Sequence, residues 1–407
     1  MKADGELHAL LHQPDGGALA FRGGRVVRAE TPRAVPAALC RLERALRKGR
    51  TLALALSYEL GHLLATPPLP WPDRPHYPVP RPPLIWALEV DAPAALDAGA
   101  AEAWLRARES RSATRFVPTS TQSSPPQPLV DERAFQAAFR RVRQYIDAGD
   151  VYQVNFTFPL AFATGTHPAR LQRAMLRRQP APHAAFLELS SSLWAMSASP
   201  ELFLEFSPDG GVRSRPMKGT AARAVDPARD AAAAEALRTD VKTQAENLMI
   251  ADLMRNDLGR VAEVGSVCVP ALLVVESYPT VHQMVSEVRA RIHNSPSLPE
   301  LLRAVLPAGS ITGAPKRRAM EIIDVLEAQA RGLYTGCIGW LRRTEEGHYE
   351  GVLSVAIRTV VMDARGRGRM GVGAGLVADS VAEDEYAECL LKARFLRQAL
   401  ADCTASA

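Results

Sequence analysis

The sequence predicts a large mixed fold of strands and helices. Three observations carry that expectation. Of its 407 residues, 47% are hydrophobic, enough for a sizeable core. Short apolar runs rich in β-branched and aromatic residues recur along the chain, as strands require. Between them lie segments with apolar residues three and four apart, the spacing of a helix face. No short-period repeat is present.

The helix-like pattern at Pro36–Arg47 is followed by strand-like runs at Thr51–Ser57 and Leu84–Val90. Residues 66–83 are dense in proline, which lacks a backbone N–H and fixes φ, so irregular surface chain is expected there. Residues 117–129, rich in Ser, Thr, Gln and Pro, read as a flexible linker. That linker joins a strand-containing N-terminal region, 1–116, to the main domain, 130–400, as parts of one large unit. Glu132–Ala148 carries Phe135, Phe139, Val142 and Ile146 at helical spacing, and Gly149 ends it. Tyr152–Phe162 alternates as a strand does.

Composition narrows the function classes. The net charge is only +5 and the basic residues are scattered, which argues against a nucleic-acid partner. Five widely spaced cysteines, Cys40, Cys268, Cys337, Cys389 and Cys403, form no CxxC pair, so reduced thiols are expected. The N-terminus lacks the apolar core of a signal peptide, and no apolar run reaches membrane-helix length. The expectation is a soluble cytoplasmic protein without membrane contact.

Several motifs permit chemistry. In Arg215-Pro-Met-Lys-Gly-Thr220, Lys218 precedes a glycine that lets the backbone approach a ligand closely. A lysine in a desolvated cleft loses its proton and becomes a nucleophile or base, although a lysine before glycine is more often a surface turn. Glu201 follows the apolar run Leu193–Ala198, and a carboxyl beside apolar walls can hand over a proton near neutral pH. In Ala245–Gly259, the residues Glu246, Ile250, Leu253 and Asp257 share one helical stripe. Such carboxylates suit a hard cation such as Mg2+. Ser380-Val-Ala-Glu383 has the form of a capping box, with Glu388 two turns on and Lys392 at its i,i+4 position. Leu306–Lys316, small residues before a helix, is a candidate anion cradle. Gly371–Gly375 is either a turn or a backbone seat for a carboxylate, with Arg358 as the matching guanidinium fork.

Taken in this order, over about residues 130–400, the motifs resemble those of the chorismate-utilising enzyme family. The resemblance implies an α+β fold of two packed β-sheets with helices outside. It implies chorismate held against Mg2+ by Glu246 and Glu388. It places Tyr334, Arg358 and the backbone of Gly373, Ala374 and Gly375 on a chorismate carboxylate, and Gly219 and Thr220 along the ring. Lys392 is counted with these substrate-binding residues.

Two positions discriminate among reactions of the family. Members that aminate the para position typically carry Lys where Lys218 stands, whereas ortho-aminating and isochorismate-forming members carry Ala. The implied route is attack of Lys218 on C2 of chorismate while Glu201 protonates the departing C4 hydroxyl. Ammonia then adds at C4 and expels the lysine. Water-adding members carry a lysine base at the position of Gln153, and a glutamine cannot act as that base. The family histidine falls at Gln283, beside His282, which leaves open whether His282 substitutes for it. No tryptophan-binding element of the family is evident in the N-terminal third. No glutaminase nucleophile turn is present either, so ammonia is expected from a separate glutamine amidotransferase subunit in a heterodimer. The alternatives are ortho-amination, as in anthranilate synthase component I, or a non-catalytic chorismate-binding subunit.

Overall fold

The computed structural model describes residues 6–111, 115–120, 122–278 and 281–405. Two antiparallel ten-stranded sheets dominate it. The first runs in the order Gly313–Ala314, Gln153–Ala163, Arg367–Leu376, Thr359–Asp363, Leu193–Ser199, His183–Ser190, His8–His12, Ala18–Arg22 and Ala94–Leu96. Gln127–Pro128 adds to the Gln153–Ala163 strand. The second runs Met217–Ala222, Val281–Arg291, Gly211–Ser214, Leu202–Phe206, Tyr349–Val355, Cys337–Arg343, Thr51–Leu56, Ile85–Val90 and Arg25–Ala29, with Cys268–Ser277 on Val281–Arg291.

Side-chain alternation along the strands explains how the sheets pack. Ala9, Leu11, Phe21, Leu187 and Ala195 of the first sheet meet Ala53, Ala55, Trp86, Leu88 and Ile338 of the second in one buried cluster. Their neighbours in sequence, such as Leu10, Ala20, Leu52 and Leu54, point the other way into a larger core shared with the helices. Strands buried on both faces read as continuous apolar runs, as Thr51–Leu56 does. The N-terminal third therefore contributes strands to both sheets.

Helix Glu132–Asp147 starts where Asp131 accepts the Ala134 N–H, and it buries Phe135 and Val142. The segment 117–129, expected to be a linker, runs along the first sheet. Val117 N–H donates to Ala364 O, Ser124 N–H to Ala163 O and Leu129 N–H to Pro159 O. Thr121 within it lies outside the described residues. The proline-rich stretch 66–83 is irregular, as expected, but only partly surface: Leu69 and Val79 are buried in it. Arg74 pairs with Asp324, and Arg369 donates to the Tyr77 carbonyl. All five cysteines are free, and no helix among the described residues is long and apolar enough to cross a membrane.

One motif reading is corrected. Helix Ala382–Leu391 begins at an N-cap of Val381, not at a Ser380–Glu383 capping box. Ser380 Oγ donates instead to Glu385, and Glu383 accepts from Gln136. In the segment read as a candidate anion cradle, Gly313–Ala314 pairs as a strand with Gln153–Val154, and the helix Lys316–Leu326 follows Pro315 as its N-cap. Lys316 is spent on an ion pair with the buried Asp257.

Candidate functional site

Lys218 sits on the edge strand of the second sheet, in register with Met284. The register slips between Lys218 and Thr220, at Gly219, whose φ of +74° suits glycine. A Cβ there would strike Thr243 on the helix Val241–Gly259. That close approach brings Glu246 of the same helix to 3.9 Å from Lys218 Nζ. Lys218 is only 15% exposed. Burial pushes its ammonium pKa down; Glu246 works against that push and Lys392 adds to it.

Glu201 precedes the strand Leu202–Phe206 and is buried. Its N–H donates to Ser199 Oγ at 3.3 Å, and its carbonyl accepts from Val355 N–H at 3.1 Å. Its carboxylate accepts from Ser310 Oγ at 2.6 Å. Burial raises the Glu201 carboxyl to about 7, although Ser310 and the Lys218 charge pull the other way. Near neutrality it therefore exists in both protonation states.

From the other side, helix Ala382–Leu391 presents Glu388, paired with Lys392 at 2.8 Å. Lys392 Nζ also donates to the Gly373 carbonyl at 2.8 Å. Gly373–Gly375 is not a turn: it lies within the strand Arg367–Leu376, paired with Asn155–Thr157. At Gly375 a Cβ would run into the Gln153 amide and lie 3.2 Å from Lys218 Nζ. Gln153 is fully buried, and neither polar atom of its side-chain amide has a hydrogen-bond partner among the described residues. An unpaired buried amide beside a buried lysine is costly unless a ligand completes it.

These groups come from both sheets and two helices, and they meet in one constellation of two lysines, three glutamates and an unpaired amide. Residues 20–398 match the family model described as chorismate binding enzyme. The chain belongs to the chorismate-binding enzyme family. The aminodeoxychorismate synthase of Streptomyces griseus is 47% identical over 251 residues, covering 62% of this chain and 34% of that protein. Aminodeoxychorismate synthase component 1 of Salmonella typhimurium is 42% identical over 314 residues, covering 74% of this chain and 66% of that protein. The matched stretch thus spans less than two thirds of either relative. In fold, the chain is similar to anthranilate synthase component I from Streptococcus pneumoniae, with a TM-score of 0.72, 24% identity and coverage of 98% and 93% of the two chains.

Within this chorismate-binding enzyme the other expected residues are Tyr334, Arg358 and Thr220. The Tyr334 ring packs on Gly371, four residues along the strand from Gly375. Arg358 holds a φ of +50° and makes no hydrogen bond or ion pair through its side chain among the described residues; burial lowers its pKa. Thr220 is exposed. His282 does not join the Lys218 constellation, because its ring nitrogens face Asp230 at 3.0 Å and Ser277 at 2.8 Å.

Three participants escaped the sequence reading. Ser310 meets Glu201 from inside the segment taken for an anion cradle. Lys242 and the buried Glu385 pair at 3.4 Å, and the Glu385 charge helps raise Glu246. A second carboxylate one turn before Glu388 was the available signal for Glu385.

The donor set fits Mg2+. Burial raises the Glu246 carboxyl; Lys218 and Lys242 oppose that rise, and Glu385 and Glu388 add to it. Among the described residues no cluster of three or more metal-ligating side chains forms. Mg2+ accepts that, since it commonly takes one or two carboxylates and keeps several waters.

Proposed function

We propose that this chorismate-binding enzyme is the chorismate-aminating component of an aminodeoxychorismate synthase, forming 4-amino-4-deoxychorismate from chorismate and ammonia. The observation that carries the reading is Lys218: a lysine largely withdrawn from water, beside Glu246 and within the electrostatic reach of Glu201. Burial favours its neutral amine, the form that attacks carbon.

In this reading the amine forms a bond to C2 of chorismate, both ring double bonds shift by one bond, and the C4–O bond breaks. Glu201 delivers its proton to the leaving hydroxyl, which departs as water. Ammonia then bonds to C4, both double bonds shift back, the C2–N bond to Lys218 breaks to release the neutral amine, and the surplus proton on the new nitrogen returns to Glu201. Gly373–Gly375, Arg358 and Tyr334 would seat the carboxylates, with Gly219 and Thr220 along the ring. Gln153 would pair with a polar group of the ligand without serving as a base. Glu246 and Glu388 would hold Mg2+, which when bound neutralises carboxylate charge and fixes the ring. Ammonia would come from a separate glutamine amidotransferase subunit in a heterodimer. A reduced cytoplasmic setting suits the five free thiols.

Product analysis tests the reading. The purified chain with chorismate, Mg2+ and excess ammonium salt should yield a product that aminodeoxychorismate lyase converts to 4-aminobenzoate. Anthranilate appearing without lyase would overturn it.

Two further outcomes are expected. Gly375→Ala pushes a methyl group toward Gln153 and Lys218, so turnover should fall by about tenfold or more in initial-rate measurements. Glu246→Gln should weaken Mg2+ binding by at least about tenfold in calorimetric titration, because losing even an outer-shell partner of a metal site costs that much.

A further inference from the structure

Beside Glu246 on its helix is Asn247, fully buried and facing the strand Val281–Arg291. Its Nδ2 donates to the Met284 carbonyl at 3.1 Å. Met284 is the residue in register with Lys218. Asn247 Oδ1 accepts the hydroxyl of Ser286, which is also fully buried. Ser286 Oγ in turn accepts Leu273 N–H at 3.0 Å, and Ser286 N–H donates to Pro216 O at 3.1 Å, two residues before Lys218. One amide therefore grips the strand at two alternate residues, directly behind the nucleophile strand.

We infer that Asn247, acting with Ser286, is a positioning residue that sets how closely Glu246 approaches Lys218. The inference rests on the reading of Lys218 as nucleophile. Asparagine suits the position because one side chain must both donate to a carbonyl and accept from a hydroxyl at the same depth. Leucine has similar size but removes the bond to the Met284 carbonyl and leaves the Ser286 O–H without its acceptor. The helix is then free to shift against the strand, and small misplacements of reacting groups are expensive in rate. Gly373–Gly375 and Arg358, proposed to seat the chorismate carboxylates, are on or beside strands of the other sheet, so the loss should fall mainly on kcat.

The test uses the full chain carrying Asn247→Leu, Asn247→Asp, Ser286→Ala, or Asn247→Leu with Ser286→Ala. Initial rates with chorismate, Mg2+ and excess ammonium salt give kcat and KM. In parallel, acetic anhydride labelling of Lys218 is followed by peptide mass spectrometry, a readout that needs no turnover. Asn247→Leu should lower kcat by about 10²-fold with the chorismate KM within about threefold of its original value. It should also change the Lys218 labelling rate by at least about threefold. The double variant should be no worse than Asn247→Leu alone, because the pair acts as a unit. Asn247→Asp keeps the Ser286 bond and should fall between Asn247→Leu and the unsubstituted chain; it serves if the leucine variant does not fold. Unchanged kcat and labelling would overturn the inference, as would KM rising in step with a falling kcat. If the unsubstituted chain makes no aminated product, the proposed reaction fails, and the labelling rates alone then decide the clamp.

Discussion

Lys218→Ala should lower C4 amination of chorismate by about 10³-fold or more, the scale seen when a nucleophile is removed. Chorismate should still bind, because the groups proposed to hold its carboxylates lie elsewhere. The physical case rests on position. A lysine at an exposed strand edge would stay protonated at neutral pH and inert toward carbon. Lys218 is on an edge strand, yet the helix Val241–Gly259 and the Gly375 strand close over it. Glu246 at 3.9 Å opposes the loss of its proton, and burial outweighs that opposition. Measurement is by chromatography of products after incubation with ammonium salt, with and without lyase. Lys218→Arg should be as inactive as alanine, since guanidinium keeps its charge and is no nucleophile. The alanine variant should also be assayed for anthranilate, the ortho-amination product. Turnover unchanged from the original chain would remove the lysine from the mechanism.

Much of this arrangement was legible in the sequence where the information is local. The spacing of Phe135, Phe139, Val142 and Ile146 announces a helix, and one forms at Glu132–Asp147. The runs at Thr51 and Leu84 become paired neighbours, Thr51–Leu56 and Ile85–Val90. Sheet order was not legible. His8–His12 pairs with His183–Ser190, and nothing in either segment names the other. The misread motifs share a cause. Glycines at 371–375 look like a turn, but they are small because Tyr334, Gln153 and Lys218 crowd their strand. Ser380 looks like a cap, but the helix starts one residue later and Glu385 claims its hydroxyl. Residues 117–129 look unattached because the carbonyls they bind belong to strands elsewhere in the chain. Of the candidate site, Lys218, Glu201, Glu246 and Glu388 stand out in the sequence, whereas the meeting of Glu201 with Ser310, and of Lys392 with Gly373, exists only in three dimensions.

Glu201→Gln should reduce turnover by about 10²- to 10⁴-fold, the range typical of a positioned general acid. The substitution keeps the shape of the side chain and still offers Ser310 an acceptor, so the loss would reflect the proton. The pH dependence follows from the carboxyl near 7. Below that value Glu201 carries the proton the leaving hydroxyl needs. Above it the acid form drains away, so kcat should fall roughly tenfold per pH unit on the alkaline side. In the glutamine variant that limb should disappear from the residual rate. Stability of the native chain should fall with rising pH as well. The ordinary value for this carboxyl is 4.5, so between there and about 7 the native chain holds a proton that the unfolded chain has released. Native stability must then decrease as pH rises through that window, and the decrease ends once both states are ionised. Glu201→Gln removes the penalty of a buried charge and should melt at a higher temperature than the original chain at pH 8, with the difference shrinking toward pH 4. A variant that loses activity and gains alkaline stability would mark Glu201 as a group kept for chemistry at the expense of the fold. A variant that loses both would make the carboxylate a structural anchor for Ser310 and transfer the role of acid to another group.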